Sequence, residues 1–84
     1  MANSTNITKL PLNKWIKITN ANCVFQNRSE ANIQYTASDI DPEDDTDQFF
    51  VLKPLDKDTY TSNNDNLYCR RVDTQRAYIA WKNT

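Results

Sequence analysis

Apolar residues recur at every second position through most of this chain, in runs too short for helices. Lys14-Trp15-Ile16-Lys17-Ile18-Thr19 alternates, with Ile16 and Ile18 on one face and Trp15 and Lys17 on the other. Cys23-Val24-Phe25-Gln26-Asn27 repeats the pattern with Cys23 and Phe25 on one face, and Asn32–Ala37 does so with Ile33, Tyr35 and Ala37. A period of two is the signature of a strand whose sheet is wet on one side. Gln48-Phe49-Phe50-Val51-Leu52 is nearly continuous in apolar character and predicts a central strand buried on both faces. Pro54 closes that run, since proline cannot donate in a central ladder. Asp58–Ser62 reads as a polar edge strand, and Leu67–Val72 with Arg76–Trp81 as a last hairpin around Asp73-Thr74-Gln75.

The expected fold is therefore all-β: a small antiparallel β-sandwich or β-barrel of about six to eight short strands, with no substantial helix. Residues 1–9 are polar and aperiodic and are expected to form a flexible or docking arm, ahead of a single β domain at 10–84.

Composition sharpens this picture mainly by exclusion. The chain of 84 residues has no glycine and no histidine. Phosphate-cradling loops need positions without a Cβ, so none is expected. Without imidazole the usual general base, the common metal ligand and the switch near neutral pH are all missing. Asparagine and aspartate take the place of glycine in the turns, because their short side chains bond the local backbone and tolerate φ > 0. No enzymatic activity and no cofactor are expected.

The net charge of −1 conceals a segregated pattern. Residues 1–38 carry four basic side chains against Glu30; residues 39–66 carry nine acidic ones against Lys53 and Lys57; residues 67–84 carry four basic ones against Asp73. An acidic middle lies between two basic ends, read either as a solvated loop or as a contact between copies, acidic loop to basic face. Nucleic acid is not an expected partner, because no basic cluster is interleaved with stacking aromatics. No segment is apolar and long enough for a membrane span, and the first residues lack the pattern of a secretory signal. The chain is expected to be made in the cytoplasm and to stay there, or to leave by another route such as cell lysis.

Four carboxylates at alternating positions, Asp39, Asp41, Glu43 and Asp45, resemble a calcium loop superficially. The twelve-residue EF-hand pattern fails, needing glycine at Asp44 and a bidentate glutamate at Phe50. These four are the weak metal candidates; the stronger reading is a solvated loop. Cys23 and Cys69 read as buried thiols, with a disulfide as the alternative. Leu10, Leu12, Trp15, Lys17, Tyr68 and Arg70 are the candidates for a protein interface, since exposed aromatics beside arginine are typical of one. The competing reading places those aromatics against a second sheet or a barrel end.

The order of pieces resembles that of small virion proteins of tailed phages, the head-decoration or tail-accessory β domains. The resemblance runs over residues 10–81. It rests on Trp15-Ile16-Lys17-Ile18, Cys23-Val24-Phe25-Gln26-Asn27, the loop containing Pro42, Phe50-Val51-Leu52-Lys53-Pro54 and Asn66-Leu67-Tyr68-Cys69-Arg70. Such proteins often carry a glycine in the strand after the loop, where this chain has Gln48-Phe49. The resemblance implies a non-enzymatic capsid-decoration or tail-accessory protein, located in the virion. Its expected partners are itself, as a dimer or trimer, and the major capsid or tail protein. A carbohydrate-binding or adhesion module, stacking sugars on Trp15, Trp81 and the tyrosines and assisted by calcium, is the alternative expectation.

Overall fold

A computed structural model describes residues 5–84. The chain is all-β, with eight strands among the described residues: β1 (Asn6–Lys9), β2 (Ile16–Thr19), β3 (Cys23–Asn27), β4 (Ile33–Ser38), β5 (Phe50–Leu52), β6 (Lys57–Tyr60), β7 (Asn66–Arg71) and β8 (Tyr78–Asn83). They form two sheets of four strands, ordered β1-β8-β3-β6 and β2-β7-β4-β5. All pairings between neighbouring strands are antiparallel. The chain changes sheet at every connection but one. The exception is β4 to β5, which pair directly and carry the acidic loop between them.

Alternation explains the core. The inner face of the first sheet presents Cys23, Phe25 and Ile79, which meet Ile33, Leu67 and Cys69 of the second; all six are essentially inaccessible. Phe25 meets Tyr35 edge-on across the sandwich, ring centres 5.1 Å apart. Burying a ring of that size contributes about 2–3 kcal/mol. The Thr19 hydroxyl donates to Asn83 Oδ1 at 3.0 Å, a second link between the sheets.

Asn27 is the most deeply placed polar side chain, fully buried. Its amide donates to the carbonyls of Ala31 (2.7 Å) and Leu52 (2.9 Å), and its Oδ1 accepts from Ser29 N–H (2.9 Å) and the Ser29 hydroxyl. Its backbone bonds Asp56 and Leu55 as well. One side chain thus ties the connection after β3 to the end of edge strand β5.

Three sequence expectations are corrected. Residues 6–9 do not lie free: β1 pairs with β8 from Asn6↔Trp81 to Lys9↔Tyr78, because β8 would otherwise leave a long edge unpaired. Residues 1–4 of the expected arm lie outside the described residues. The run at 48–52 is an edge strand of three residues, Phe50–Leu52, bonded to β4 alone. The strand buried on both faces is β7, where Leu67, Tyr68, Cys69 and Arg70 are all buried in succession. Tyrosine and arginine hid it from the hydrophobicity pattern, since each buries an apolar stem while its polar end finds a partner. Finally, β7 and β8 are not a hairpin; they belong to opposite sheets.

The turns use asparagine as expected at two of the three positive-φ positions among the described residues, Asn13 (53°) and Asn64 (59°). The third is Leu55, at 65°. It follows Pro54 in a turn closed by Asp56 N–H to the Lys53 carbonyl at 3.1 Å.

Candidate interaction surfaces

The side chains expected to dock a partner are mostly used within the chain. Tyr68 and Arg70 project from β7 to the outer face of the second sheet, and Trp15 packs beside them. That face is covered by the acidic loop. The Tyr68 hydroxyl donates to Asp41 Oδ1 at 2.9 Å, Trp15 Nε1–H donates to the Glu43 carbonyl at 3.2 Å, and an Arg70 Nη donates to the Asp44 carbonyl at 2.5 Å. Arg70 also donates from Nε to Gln34 Oε1 at 2.9 Å. Its guanidinium lies 4.4 Å from the Trp15 ring centre and 5.8 Å from that of Phe49, at the end of the loop. Arg70 therefore acts as a clasp: a buried cation packed against two neighbouring rings, with a segment of six carboxylates folded over it.

Leu10 is also buried, its N–H donating to the Ala77 carbonyl at 2.9 Å. Only Leu12 and Lys17 of the six interface candidates are exposed. Leu10, Trp15, Tyr68 and Arg70 thus form no open docking face; Trp15 and Tyr68 lie under the acidic loop rather than against a second sheet or a barrel end. Burial, then the hydrogen bond to Asp41, pushes the Tyr68 hydroxyl above its usual pKa.

The metal candidates Asp39, Asp41, Glu43 and Asp45 stay on the exposed rim of the loop. Among the described residues no three acids or thiols converge as a metal site would require. Cys23 and Cys69 are free and buried, one in each sheet. Burial pushes the Cys23 thiol up to about 11 and raises Cys69 well above its usual value. The thiolate is the reactive form, so both sulfurs are chemically quiet at neutral pH.

Two open surfaces were not singled out by the sequence. The first is the outer face of the first sheet. Register places Ile7, Val24 and Ala80 together there, with Lys9, Lys57 and Lys82 around them. Arg28 adjoins the same face, its backbone bonded to Tyr78. All four cations are exposed, and none has a carboxylate partner among the described residues. The signal was present in the basic ends of the chain, but Lys57 comes from the acidic middle, and only strand pairing assembles the set.

The second surface is an open cleft of about 330 Å³ where the two sheets part beside β5 and β6. Phe25, Tyr35, Phe50 and Tyr60 line it, with Asp58 at its mouth. Tyr35 and Phe50 lie 5.7 Å apart, and the Tyr35 hydroxyl donates to Asp58. Burial and that carboxylate together push the Tyr35 hydroxyl far above its usual value. The cleft exists because β5 is too short to close the sandwich edge, leaving Phe50 largely exposed.

The class defined by these observations is a small antiparallel β-sandwich with a clasped acidic loop on one side and a cationic sheet face on the other. Comparisons with protein-family models, with curated proteins and with solved structures find no match to this chain.

Proposed function

We propose that this chain is a non-enzymatic structural protein that works by docking, in the manner of the phage head-decoration or tail-accessory domains its sequence resembles. The observation that carries this reading is the outer face of the first sheet. Its exposed apolar side chains, Ile7 and Val24, flank a buried Ala80 and are ringed by four cations that have no ion pair among the described residues, so the face is open to a partner. Binding faces combine an apolar middle with a charged rim in this way. The rigid fold suits the role: the buried thiols are unreactive, and strands rather than loops carry the face. On a symmetric particle each contact is repeated many times, so a modest single affinity suffices. The test is quantitative mass spectrometry of density-purified virus particles released from cells that express the chain. The chain is expected at a fixed ratio to a capsid or tail protein and to survive a salt wash of the particle only in part. Its absence from purified particles sinks the proposal.

A second reading, a carbohydrate-binding module, draws on the cleft, where Tyr35, Phe50 and Tyr60 offer rings and Asp58 a hydroxyl acceptor. Trp15 is buried and Trp81 Nε1–H is bonded to Thr8 at 2.9 Å, so the tryptophans take no part in it. Titration with glycans, with and without calcium, reads out as a change in tyrosine emission. A flat response removes this reading.

A further inference from the structure

We infer that the outer face of the first sheet docks the acidic loop of a second copy of this chain, so that copies associate head to tail. This rests on the docking role proposed above and names the partner. The loop between β4 and β5 carries six carboxylates at 39–47 and no lysine or arginine. It lies over the outer face of the second sheet, held there through Trp15, Tyr68 and Arg70. The cationic face lies on the outer side of the other sheet. The two opposite charges therefore occupy opposite sides of one thin sandwich, whose shortest extent is 16 Å. Neither is neutralised among the described residues: Lys9, Arg28, Lys57 and Lys82 have no ion pair there, and Arg70 bonds the loop's Asp44 carbonyl and not its carboxylates.

A surface that needs a partner of opposite sign is thus present on every copy together with that partner. The loop is also held in one shape by its clasp, so little ordering entropy is lost when it binds. The contact joins two different surfaces of the same molecule. It is heterologous, and growth continues until a ring closes or a filament forms.

The size of the face sets the strength. Four strands about 4.8 Å apart and about 15 Å long present roughly 300 Å². A stable pair needs about 800 Å² on each side. Free copies accordingly associate weakly and in a salt-dependent way, while copies arrayed on a particle gain from repetition.

Light scattering and sedimentation equilibrium on the purified chain, at about millimolar concentration, test this. At low ionic strength the weight-average mass is expected to rise at least about twofold above the monomer with no plateau at the dimer, and to fall back in about 0.5 M salt, where screening is short-ranged. Lys57→Glu with Lys82→Glu, on the face, should abolish association, and so should Asp44→Lys with Asp45→Lys, on the loop. Mixing the two double variants should restore a single contact, intact face to intact loop, and so give a heterodimer that grows no further. Lys14→Glu changes the net charge by the same amount as one face substitution, away from the face, and should leave association intact.

A monomeric mass of the parent chain under all conditions overturns the inference, as does a parent mass that stops at the dimer or a variant mixture that fails to pair. Circular dichroism of each variant confirms that it is folded, and the mixing experiment stays decisive because it needs a gain. A chain found stoichiometrically in virions yet monomeric in solution at every salt would leave the docking role standing and remove the self-contact alone.

Discussion

The Arg70 guanidinium lies 4.4 Å from the centre of the Trp15 ring, and Trp15 in turn donates its indole N–H to the Glu43 carbonyl. A side chain on β7 and one just ahead of β2 thus fix the position of a loop that the sequence presents only as acidic. Removing the cation should release it. Arg70→Ala is expected to cost about 2–4 kcal/mol, from lost charged hydrogen bonds and lost cation–π contact. Arg70→Lys keeps the charge but loses the planar fork, and should cost about half as much. Hydrogen exchange separates local from global effects: the Thr46 amide, bonded to the Glu43 carbonyl at 3.1 Å, should lose protection well before those of β3 and β8.

Asn27 makes a sharper test, because an isosteric change inverts its role. Asn27→Asp removes the two N–H donors and aims a carboxylate at the carbonyls of Ala31 and Leu52. A loss of about 3–4 kcal/mol is expected at neutral pH, against about 2–3 for Asn27→Ala. A buried carboxyl titrates above its usual range, so the Asp variant should recover part of the loss as pH falls toward 4. Denaturant melts at pH 7 and pH 4 decide it. An Asp variant as stable as the parent would mean that the site is wet.

Leu55 occupies a left-handed position, φ 65°, with its side chain exposed. Glycine suits that conformation without the Cβ clash, at the cost of a more flexible unfolded chain. Leu55→Gly should stabilise by about 0.5–1 kcal/mol, raising the midpoint of thermal unfolding by several degrees. The reverse result would show that the Leu55 side chain carries packing worth more than the strain.

Alkaline pH should unfold the protein from a defined point. Burial raises Cys23 from 9.0 to about 11, and burial with the Asp65 hydrogen bond raises Tyr60 from 10.0 to about 12. Both groups hold their protons longer folded than unfolded. Their contribution is complete below about pH 9 and is lost as pH rises through 9 to 12. Cys23→Ala should lower stability at neutral pH through a small cavity, yet flatten the decline between pH 9 and 11. Melts at half-unit pH steps, with thiol labelling of the native chain at pH 8 as a slow-reaction control, give the comparison.

Alternation made most of the fold legible. Ile33, Cys23, Phe25 and Ile79 are inner-face residues because a strand of period two has only one way to bury them. The edge character of Lys57–Tyr60 was equally plain from its polarity. What the pattern misplaced was β5 and β7. Phe50 and Val51 look like core residues, but a strand of three residues paired on one side has no second neighbour to cover it. Tyr68 and Arg70 look like surface, yet they sit beneath a loop whose docking depends on contacts between residues far apart in sequence. The same distance hid the cationic face, since Lys9, Lys57 and Lys82 meet only after β1, β6 and β8 have taken their places in one sheet.

The order in which strands join has a consequence for how the chain reaches this structure. β7 and β8 sit at interior positions of the two sheets, and each holds apart strands that lie much earlier in sequence. Asn6 waits for Trp81, and Ile16 for Cys69. A nascent chain that ends before β7 therefore has the makings of edges but no sheet centre for β1 or β2. Folding is expected to be late and slow, on the millisecond-to-second scale of domains built from distant pairings. While it waits, the chain exposes unpaired strand edges on which neighbouring copies can mispair.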